Sequence, residues 1–290
     1  MSARRNWPGD ADTVVRWVRE SLRPDDAAMV RGLEDVRIAA KVSGTDLESL
    51  FIDASGVELS LAPTPTMSAT ASVPVAVEEP PVAQRSTGVL RSVRVTAAPV
   101  RIEQIPVSID VQIYDAPVQW LVYERPVITD RPESIHGLEL AEDGTGMRGA
   151  LTASLRAADL TPLLTAVVRP MLDTTGIRLR RLSVEVVQDG AEGIRIEGRA
   201  GIRWRMLGAS ATGVARVGVS PGGIVTLRDL RLGSRNPLVA IALRAARRSV
   251  REQVGRSFDL NGEFTSTGGP RLSDVRVVAA KGLTVSARLA

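Results

Sequence analysis

The 290-residue sequence contains no cysteine and few aromatic residues. Without cysteine, the chain can form no disulfide, thiolate nucleophile or zinc–thiolate site. Aromatic residues make up 3% of the chain and hydrophobic residues 44%, so the interior must consist mainly of Val, Ile, Leu and Ala side chains. Aliphatic and β-branched side chains of this kind favour strands over helices.

The sequence also lacks long apolar runs. Nowhere are there 18 consecutive apolar residues, so no segment is predicted to span a bilayer. The first residues read MSARRNWPGDADTVVRW and contain no apolar run of secretory length, so we expect no signal peptide. These observations predict a cytoplasmic protein that can meet a membrane only at its surface.

Lysine is nearly absent, although the chain carries a net charge of +4 and has a pI near 10.2. Only Lys41 and Lys281 are lysines, so arginine supplies almost all of the positive charge. GC-rich codon usage and selection for an anionic partner can each produce this bias. We predict that most arginines are solvated and that a minority form a patch facing an anion.

The usual signatures of a catalytic site are missing. His136 is the single histidine, so no two-histidine metal site can form, and its surroundings indicate a surface or capping role. No Gly-x-Ser-x-Gly elbow is present to position a serine nucleophile. Acidic pairs such as Asp25-Asp26 and Glu142-Asp143 are typical of solvated loops. We therefore expect no enzymatic activity, no metal and no cofactor.

Three segments describe the organisation of the chain. Residues 1–33 are predicted to form an N-terminal helical segment, with Val14 and Val18 on its apolar face. Residues 34–290 are predicted to form one domain. Within it, residues 62–87 are rich in proline, which favours an insertion in the form of a loop, an edge or a flap.

The clearest pattern alternates from residue 194 to residue 206. One face carries Ile194, Ile196, Gly198, Ala200, Ile202, Trp204 and Met206, and arginines dominate the other. Such alternation is typical of an antiparallel sheet with one buried face. Thirteen residues span about 43 Å, and a strand of that length must twist and curl. A change of phase at Arg180-Arg181 predicts a β-bulge in the preceding strand.

Two helices are predicted in the C-terminal half. Thr161 is expected to cap the first, with Pro162 in its first turn. Asn236 and Pro237 begin the second. Its apolar stripe contains Val239, Leu243, Ala246 and Val250, and its opposite face contains Arg244, Arg247, Arg248 and Arg251. These arginines fit either a solvated face or a contact with lipid headgroups and a membrane surface.

The patterns together predict an α+β fold that is mostly β. We expect a long, strongly curled antiparallel sheet wrapped against amphipathic helices. Curvature is expected from the bulge near Arg180 and from the small residues of the long strand.

This organisation resembles the tubular lipid-binding (TULIP) superfamily and, more narrowly, the actinobacterial LmeA-like family of lipid-binding proteins. The resemblance is clearest after residue 175, where it rests on GIRLRRLSVEVVQDGAEGIRIEGRAGIRW, GGIVTLRDLRL, the amphipathic helix and LSDVRVVAAKGLTVSARL. Residues 30–120 resemble the N-terminal half of the family through GLEDVRIAAKVSG and VRVTAAPVRIEQIPVSIDVQI. The resemblance implies a curled sheet around a helix, with an apolar interior that accepts acyl chains.

Lipid binding or transfer without catalysis is the favoured hypothesis, with a phospholipid or another acyl lipid as partner. The candidate lining residues are Ile194, Ile196, Ile202, Trp204, Met206, Val239, Leu243, Ala246 and Val250. The candidate headgroup or membrane residues are Arg244, Arg247, Arg248 and Arg251. One alternative is a structural β-protein with a filled core. Another is an arginine-driven nucleic-acid binder, which we rank lower because Tyr114, Trp120 and Tyr123 lack interleaved basic residues.

Overall fold

The computed structural model describes residues 7–24, 29–60, 80–141, 146–173, 177–204, 207–234, 254–255, 257–262 and 271–289. In this described part of the chain 64% of residues lie in strands and 14% in helices, which confirms the predicted α+β class that is mostly β. The strands form one sheet of ten and one sheet of five. No helix in the described part of the chain is both long and apolar enough to cross a membrane.

The elements have the following bounds. The strands are β1 (Val30–Arg31), β2 (Arg37–Ser43), β3 (Asp46–Asp53), β4 (Glu58–Leu59), β5 (Val82–Ile102), β6 (Ile105–Tyr123), β7 (His136–Leu140), β8 (Arg148–Arg156), β9 (Ile177–Gln188), β10 (Gly193–Trp204), β11 (Leu207–Val219), β12 (Ile224–Ser234), β13 (Ser257–Asp259), β14 (Leu272–Ala279) and β15 (Gly282–Leu289). The helices are α1 (Ala11–Ser21) and α2 (Ala157–Asp173), with short 3-10 turns at Leu33–Asp35 and Pro132–Ile135.

Both α-helices differ from their predicted bounds. Asp10 caps α1 by accepting a hydrogen bond from the Thr13 amide at 2.8 Å, and α1 ends at Ser21, well before residue 33. Pro24 explains the early end, because proline cannot continue a helix. Helix α2 begins four residues before Thr161, so the prediction that Thr161 caps it was wrong.

The ten-stranded sheet has the order β1-β4-β5-β6-β8-β15-β14, with β2 and β3 beside β5 and β7 beside β6. Most neighbours are antiparallel as predicted, but β3 and β4 run parallel to β5. Parallel neighbours require a long connection, and 22 residues separate β4 from β5. The proline-rich residues 62–79 of that connection lie outside the described residues.

Strands β5 and β6 form a hairpin that is much longer than the alternating patterns indicate, with 21 and 19 residues. Its turn places Glu103 and Gln104 at φ 51° and 68°, a conformation that tight hairpin turns require. Residues 82–87, assigned from the sequence to the proline-rich insertion, belong to β5 and pair with β6. No proline follows Pro81 until Pro99, so backbone donors are available for this pairing.

Tryptophans organise the large hydrophobic core, which lies between α1 and the ten-stranded sheet. Trp7 contacts Trp17 and Trp120 edge to face, each at 5.3 Å between ring centroids. Trp7 also stacks on His136 at 4.4 Å, and the His136 side chain is only 10% exposed. The predicted capping role is confirmed, because His136 caps the end of the 3-10 turn and its amide donates to the Glu133 carbonyl. The prediction of a surface position for His136 was wrong. Long-range packing with Trp7 buries it, and local sequence does not show such packing.

The five-stranded sheet has the order β13-β12-β11-β10-β9 and joins the larger sheet along β14. At this junction the Gln188 side chain accepts from the Ala279 amide at 2.8 Å and donates to the Val277 carbonyl at 3.3 Å. A small apolar cluster of Val219, Val275 and Ala287 lies beside it. These contacts attach one end of the smaller sheet to the edge of the larger one.

Neither sheet is strongly curled, so the prediction of a strongly curled sheet was wrong. The predicted bulge is confirmed: Gly201 pairs with Arg181 and Ile202 with Leu179, which leaves Arg180 as the extra residue of β9. One bulge bends a strand only locally. Wrapping of the sheet around helices, and a single domain over residues 34–290, stay predictions.

Candidate functional site

Strand β10 has the apolar face that the alternation predicts. Ile194 is buried, whereas Ile196 and Ile202 on the same face are half-buried. Arg199 and Arg203 lie on the opposite face and are exposed. The strand therefore separates an aliphatic surface from a basic one.

The apolar face continues across the neighbouring strand. In an antiparallel pair, residues directly opposite each other lie on the same side of the sheet. The residues of β11 that oppose Ile194, Ile196, Gly198, Ala200 and Ile202 are, in the same order, Val217, Ala215, Gly213, Ala211 and Ala209. The two central strands thus carry mostly glycine and alanine on this face.

Larger side chains line both flanks of these central strands. The flank on β9 contains Leu179, Leu182, Val184 and Val186, and the flank on β12 contains Leu227, Leu230 and Leu232. Each flank has a bulge, with Arg180 as the extra residue in β9 and Arg228 in β12. The extra residue keeps two leucines three positions apart on the same face. LRRL at 179–182 and LRDL at 227–230 share this arrangement.

Small residues between two larger rows form a shallow aliphatic depression, here called the trough. A Cβ atom added at Gly198 would have its nearest described neighbour at 4.0 Å, so the floor is open toward the described residues there. At Gly213 the same addition would meet Leu232 Cδ2 at 3.2 Å, so this leucine leans over the floor. The trough is about 26 Å long from Ile194 to Ile202 and about 14 Å wide between the flanking strands.

The trough is partly covered on one flank and at one end. Helix α2 lies along β9. There the Thr161 hydroxyl accepts from the Val184 amide at 3.0 Å and donates to the Val184 carbonyl at 3.3 Å. This pair of bonds uses the free edge of β9, and it places Thr161 inside α2 rather than at its N-terminus. At the Ile194 end, Val217 packs in the small cluster at the junction with the larger sheet.

Several predicted lining residues fall outside the trough as described. Trp204 ends β10 and pairs with Leu207, but its side chain lies outside the described part of the chain. The other predicted residues outside the described part are Met206, Val239, Leu243, Ala246, Val250, Arg244, Arg247, Arg248 and Arg251. Their roles stay predictions, and the site rests on the five-stranded sheet alone.

The contribution of β11 was missed from the sequence. Ala209, Ala211, Gly213 and Ala215 alternate with Ser210, Thr212 and other residues, so the period-2 signal was present. Alanine and glycine give little hydrophobic contrast, which makes such a strand difficult to detect. The floor of the trough is the part of the site that this weak contrast concealed.

The acidic side chains and the single histidine of the residues that the structure describes form no cluster of three or more that is suited to a metal ion. Burial lowers the pKa of His136, whose Nδ1 lies 3.5 Å from Glu133 Oε2. Its ring is enclosed by the tryptophan core, so it has no access to a substrate in the trough.

A second concavity, half open and about 600 Å³ in volume, lies at the ends of β8 and the β14–β15 hairpin. Ser108, Ser154 and Thr284 oppose one another across three adjacent strands on its wall. Arg156 at its rim already binds Asp159 at 2.6 Å. The lining combines these hydroxyls and two cations with apolar side chains, namely Pro106, Leu155, Val278 and Ala280. This mixed lining differs from the continuous aliphatic face of the trough.

Comparison of the chain with protein-family models, with curated proteins and with solved structures finds no match. The resemblance to the LmeA-like family and the TULIP superfamily therefore stays a prediction from the sequence pattern.

Proposed function

We propose that this protein binds a phospholipid or another acyl lipid, without catalysing a reaction on it, and that the trough holds the acyl chain. The observation that supports this proposal is the aliphatic face of the five-stranded sheet, whose floor at Gly198 is open toward the described residues. A face of this kind matches a ligand that is long, flexible and apolar.

The dimensions of the trough suit an acyl chain. Each leaflet of a bilayer contributes about 15 Å of hydrocarbon thickness, and the trough is about 26 Å long. Its width of about 14 Å leaves room for two chains side by side above the glycine and alanine floor. Buried methylene groups contribute roughly 0.8 kcal/mol each, so ten of them contribute about 8 kcal/mol before the costs of association.

The resemblance to the TULIP superfamily supports the same class of ligand. A further curling of the sheet around the ligand, with the apolar stripe of the predicted last helix facing it, belongs to this proposal. So does a cytoplasmic location with peripheral contact to an anionic membrane.

The alternative functions have less support. A structural β-protein with a filled core would not require a floor that is open toward the described residues between two rows of leucine and valine. An arginine-driven nucleic-acid binder would need exposed aromatic rings for base stacking. Trp120 and Tyr123, two of the three aromatic candidates, are 1% and 8% exposed. These two rings are packed in the core of the ten-stranded sheet and cannot stack on a base.

Uptake of a neutral fluorescent acyl probe by the purified protein tests the proposal. We expect Gly198→Phe to weaken uptake at least tenfold, because the new ring would occupy the floor of the trough. Gly201→Phe is the matched control, because it lies three residues away on the opposite face of β10. A Cβ atom there would meet Arg181 Cβ at 3.7 Å, an ordinary contact. The control should bind the probe as well as the wild-type protein does.

Thermal unfolding of both variants separates blocked binding from misfolding. The proposal fails if the wild-type protein takes up no probe, or if the two variants lose uptake equally while folded. Native mass spectrometry of the purified protein provides an independent check, since it should detect a bound lipid.

A further inference from the structure

Four exposed arginines lie together at one end of the basic face of the five-stranded sheet. Arg178 and Arg203 oppose each other directly across β9 and β10. Arg181 opposes Gly201 in the next row, and Arg199 opposes Ser183 in the row after that. We call these four residues the arginine patch.

In the described part of the chain, three of the four arginines of the patch lack the carboxylate partners that several arginines of the larger sheet have. Five exposed arginines of the larger sheet contact a carboxylate within 3.5 Å, in the pairs Arg85–Glu139, Arg91–Asp46, Arg94–Asp110, Arg148–Asp115 and Arg288–Asp274. Within the described residues, Arg178, Arg181 and Arg199 form no ion pair with a carboxylate. Like charges close together on one face of a sheet repel each other, so an anion bound among these three arginines would relieve the repulsion.

The surface beside the patch is flat and uncharged. Gly208, Ser210 and Thr212 of β11 oppose Arg203, Gly201 and Arg199 on the same face. The nearest carboxylates on β9 and β10, Glu185 and Glu197, come only in the fourth row. Because these neighbouring side chains are small, a partner with a broad surface can reach the guanidinium groups as easily as a single anion can.

The patch lies at a defined end of the trough. Leu179 and Ile202 form the last described row of the apolar face, and Arg178 and Arg203 are their immediate neighbours on the other face. Gln188, at the other end of β9, holds the strand to the larger sheet. The patch is therefore roughly 30 Å along the strand from that attachment.

We infer that the arginine patch binds the phosphate groups of an anionic phospholipid membrane and so holds the far end of the trough at the bilayer surface. This inference deepens the proposed function and rests on it for the identity of the cargo. Guanidinium groups bind phosphate oxygens in a bidentate manner, and several arginines on a flat face match a surface of many headgroups. A membrane fits better than nucleic acid because these rows of β9, β10 and β11 contribute no aromatic ring for stacking.

Vesicle co-sedimentation tests the inference with Arg178→Gln combined with Arg181→Gln. The vesicles contain phosphatidylcholine alone or with 30% phosphatidylglycerol. We expect the wild-type protein to prefer the anionic vesicles and the double variant to bind them roughly 25-fold more weakly, about fivefold for each arginine. The matched control, Arg37→Gln with Arg276→Gln, removes two exposed arginines from strands of the larger sheet and should change binding less than threefold.

Two further measurements keep this test separate from that of the proposed function. The patch variant should take up the neutral acyl probe normally, and Gly198→Phe should bind anionic vesicles normally. If the protein binds anionic vesicles through the patch but takes up no probe, the membrane site is supported. In that case only the proposal that the trough holds an acyl chain fails.

Three outcomes would overturn the inference. The first is equal binding of the wild-type protein to neutral and anionic vesicles. The second is an equal loss of binding in the control variant. The third is displacement from vesicles by random-sequence RNA near 150 mM salt at sub-micromolar concentration, which would identify a nucleic-acid surface instead.

Discussion

The two sheets share an alternating strand pattern but differ in what covers their apolar faces. In the ten-stranded sheet, α1 and the tryptophans seal the face around β3, β5 and β6, and Trp120, Leu121 and Val118 are at most 1% exposed. In the five-stranded sheet, most trough residues are only half-buried, and the small cluster at its junction contains Val219, Val275 and Ala287. Alternation thus identifies an apolar face, and only the packed partners decide whether that face is core or binding surface.

The surroundings of glycine also differ between the two sheets. Gly88 in β5 lies where an added Cβ atom would be 2.1 Å from the Thr45 carbonyl oxygen, so close packing requires this glycine. Gly198 in β10 has no described atom nearer than 4.0 Å to such a Cβ. Gly88 therefore admits neighbouring backbone, whereas Gly198 has no described atom packed against it.

The largest effect is expected from truncating the tryptophan core. Trp120→Ala removes a side chain that contacts Trp7 and donates from Nε1 to the Thr45 carbonyl at 2.7 Å. We expect a loss of about 3–5 kcal/mol in the free energy of unfolding. Ile196→Ala in the trough should cost only about 1–2 kcal/mol, because its side chain is half-buried. Urea unfolding measures both, and equal losses would contradict the contrast between the sheets.

Substituting alanine for one glycine in each sheet should give effects of opposite sign. Gly88→Ala forces a methyl group against the Thr45 carbonyl and the Trp120 ring, and should destabilise the fold by about 1–3 kcal/mol. Gly198→Ala should stabilise it by about 0.5–1 kcal/mol, because alanine restricts the unfolded chain and meets no described obstacle. A large loss in Gly198→Ala would show that the floor of the trough is packed.

The sequence predicted local features well and long-range ones poorly. The bulge at Arg180 and the apolar face from Ile194 to Ile202 follow from alternation, which depends only on neighbouring residues. The burial of His136 depends on Trp7, 129 positions away, and the parallel pairing of β3 with β5 depends on the course of a long connection. The floor on β11 escaped notice because alanine and glycine carry little hydrophobic contrast.

Protonation of His136 is expected to have an intermediate effect on stability. The chain has no other histidine, so this effect reports on the tryptophan core of the ten-stranded sheet. Burial lowers the pKa of His136 in the folded state, so the unfolded chain takes up a proton first as the pH falls. Stability should therefore decrease as the pH falls from about 7.5 through 6.5 toward the lower folded pKa. His136→Phe should keep the stacking on Trp7 and flatten this dependence.

Thermal unfolding at a series of pH values measures the effect. Hydrogen bonds lower the pKa values of Asp10 and Asp53, which therefore titrate below about 4 and outside this window. A wild-type protein whose stability is constant from pH 7.5 to 5.5 would show that His136 is not held neutral by its burial.

The smallest effect concerns arginines on the exposed faces of the two sheets. Arg91 binds Asp46 at 2.6 Å, and Asp46 also accepts from the Val89 amide at 3.0 Å. Arg91→Gln should cost about 0.2–1 kcal/mol, as for other exposed ion pairs. Arg178→Gln should instead be neutral or stabilise by a few tenths of a kcal/mol, because it removes a like charge one row from Arg181 on the same face.

Salt distinguishes this electrostatic origin from a change in packing. Screening at about 0.5 M salt should shrink both differences, since exposed charges interact weakly beyond a short Debye length. If Arg178→Gln destabilises the protein at every salt concentration, the arginine patch stabilises the fold and has no surplus charge to offer a membrane. If Arg178→Gln stabilises the protein only at low salt, Arg178 repels its neighbouring arginines in the folded state. A structural role does not explain such repulsion, so the positive charge of the patch is available for an anionic partner.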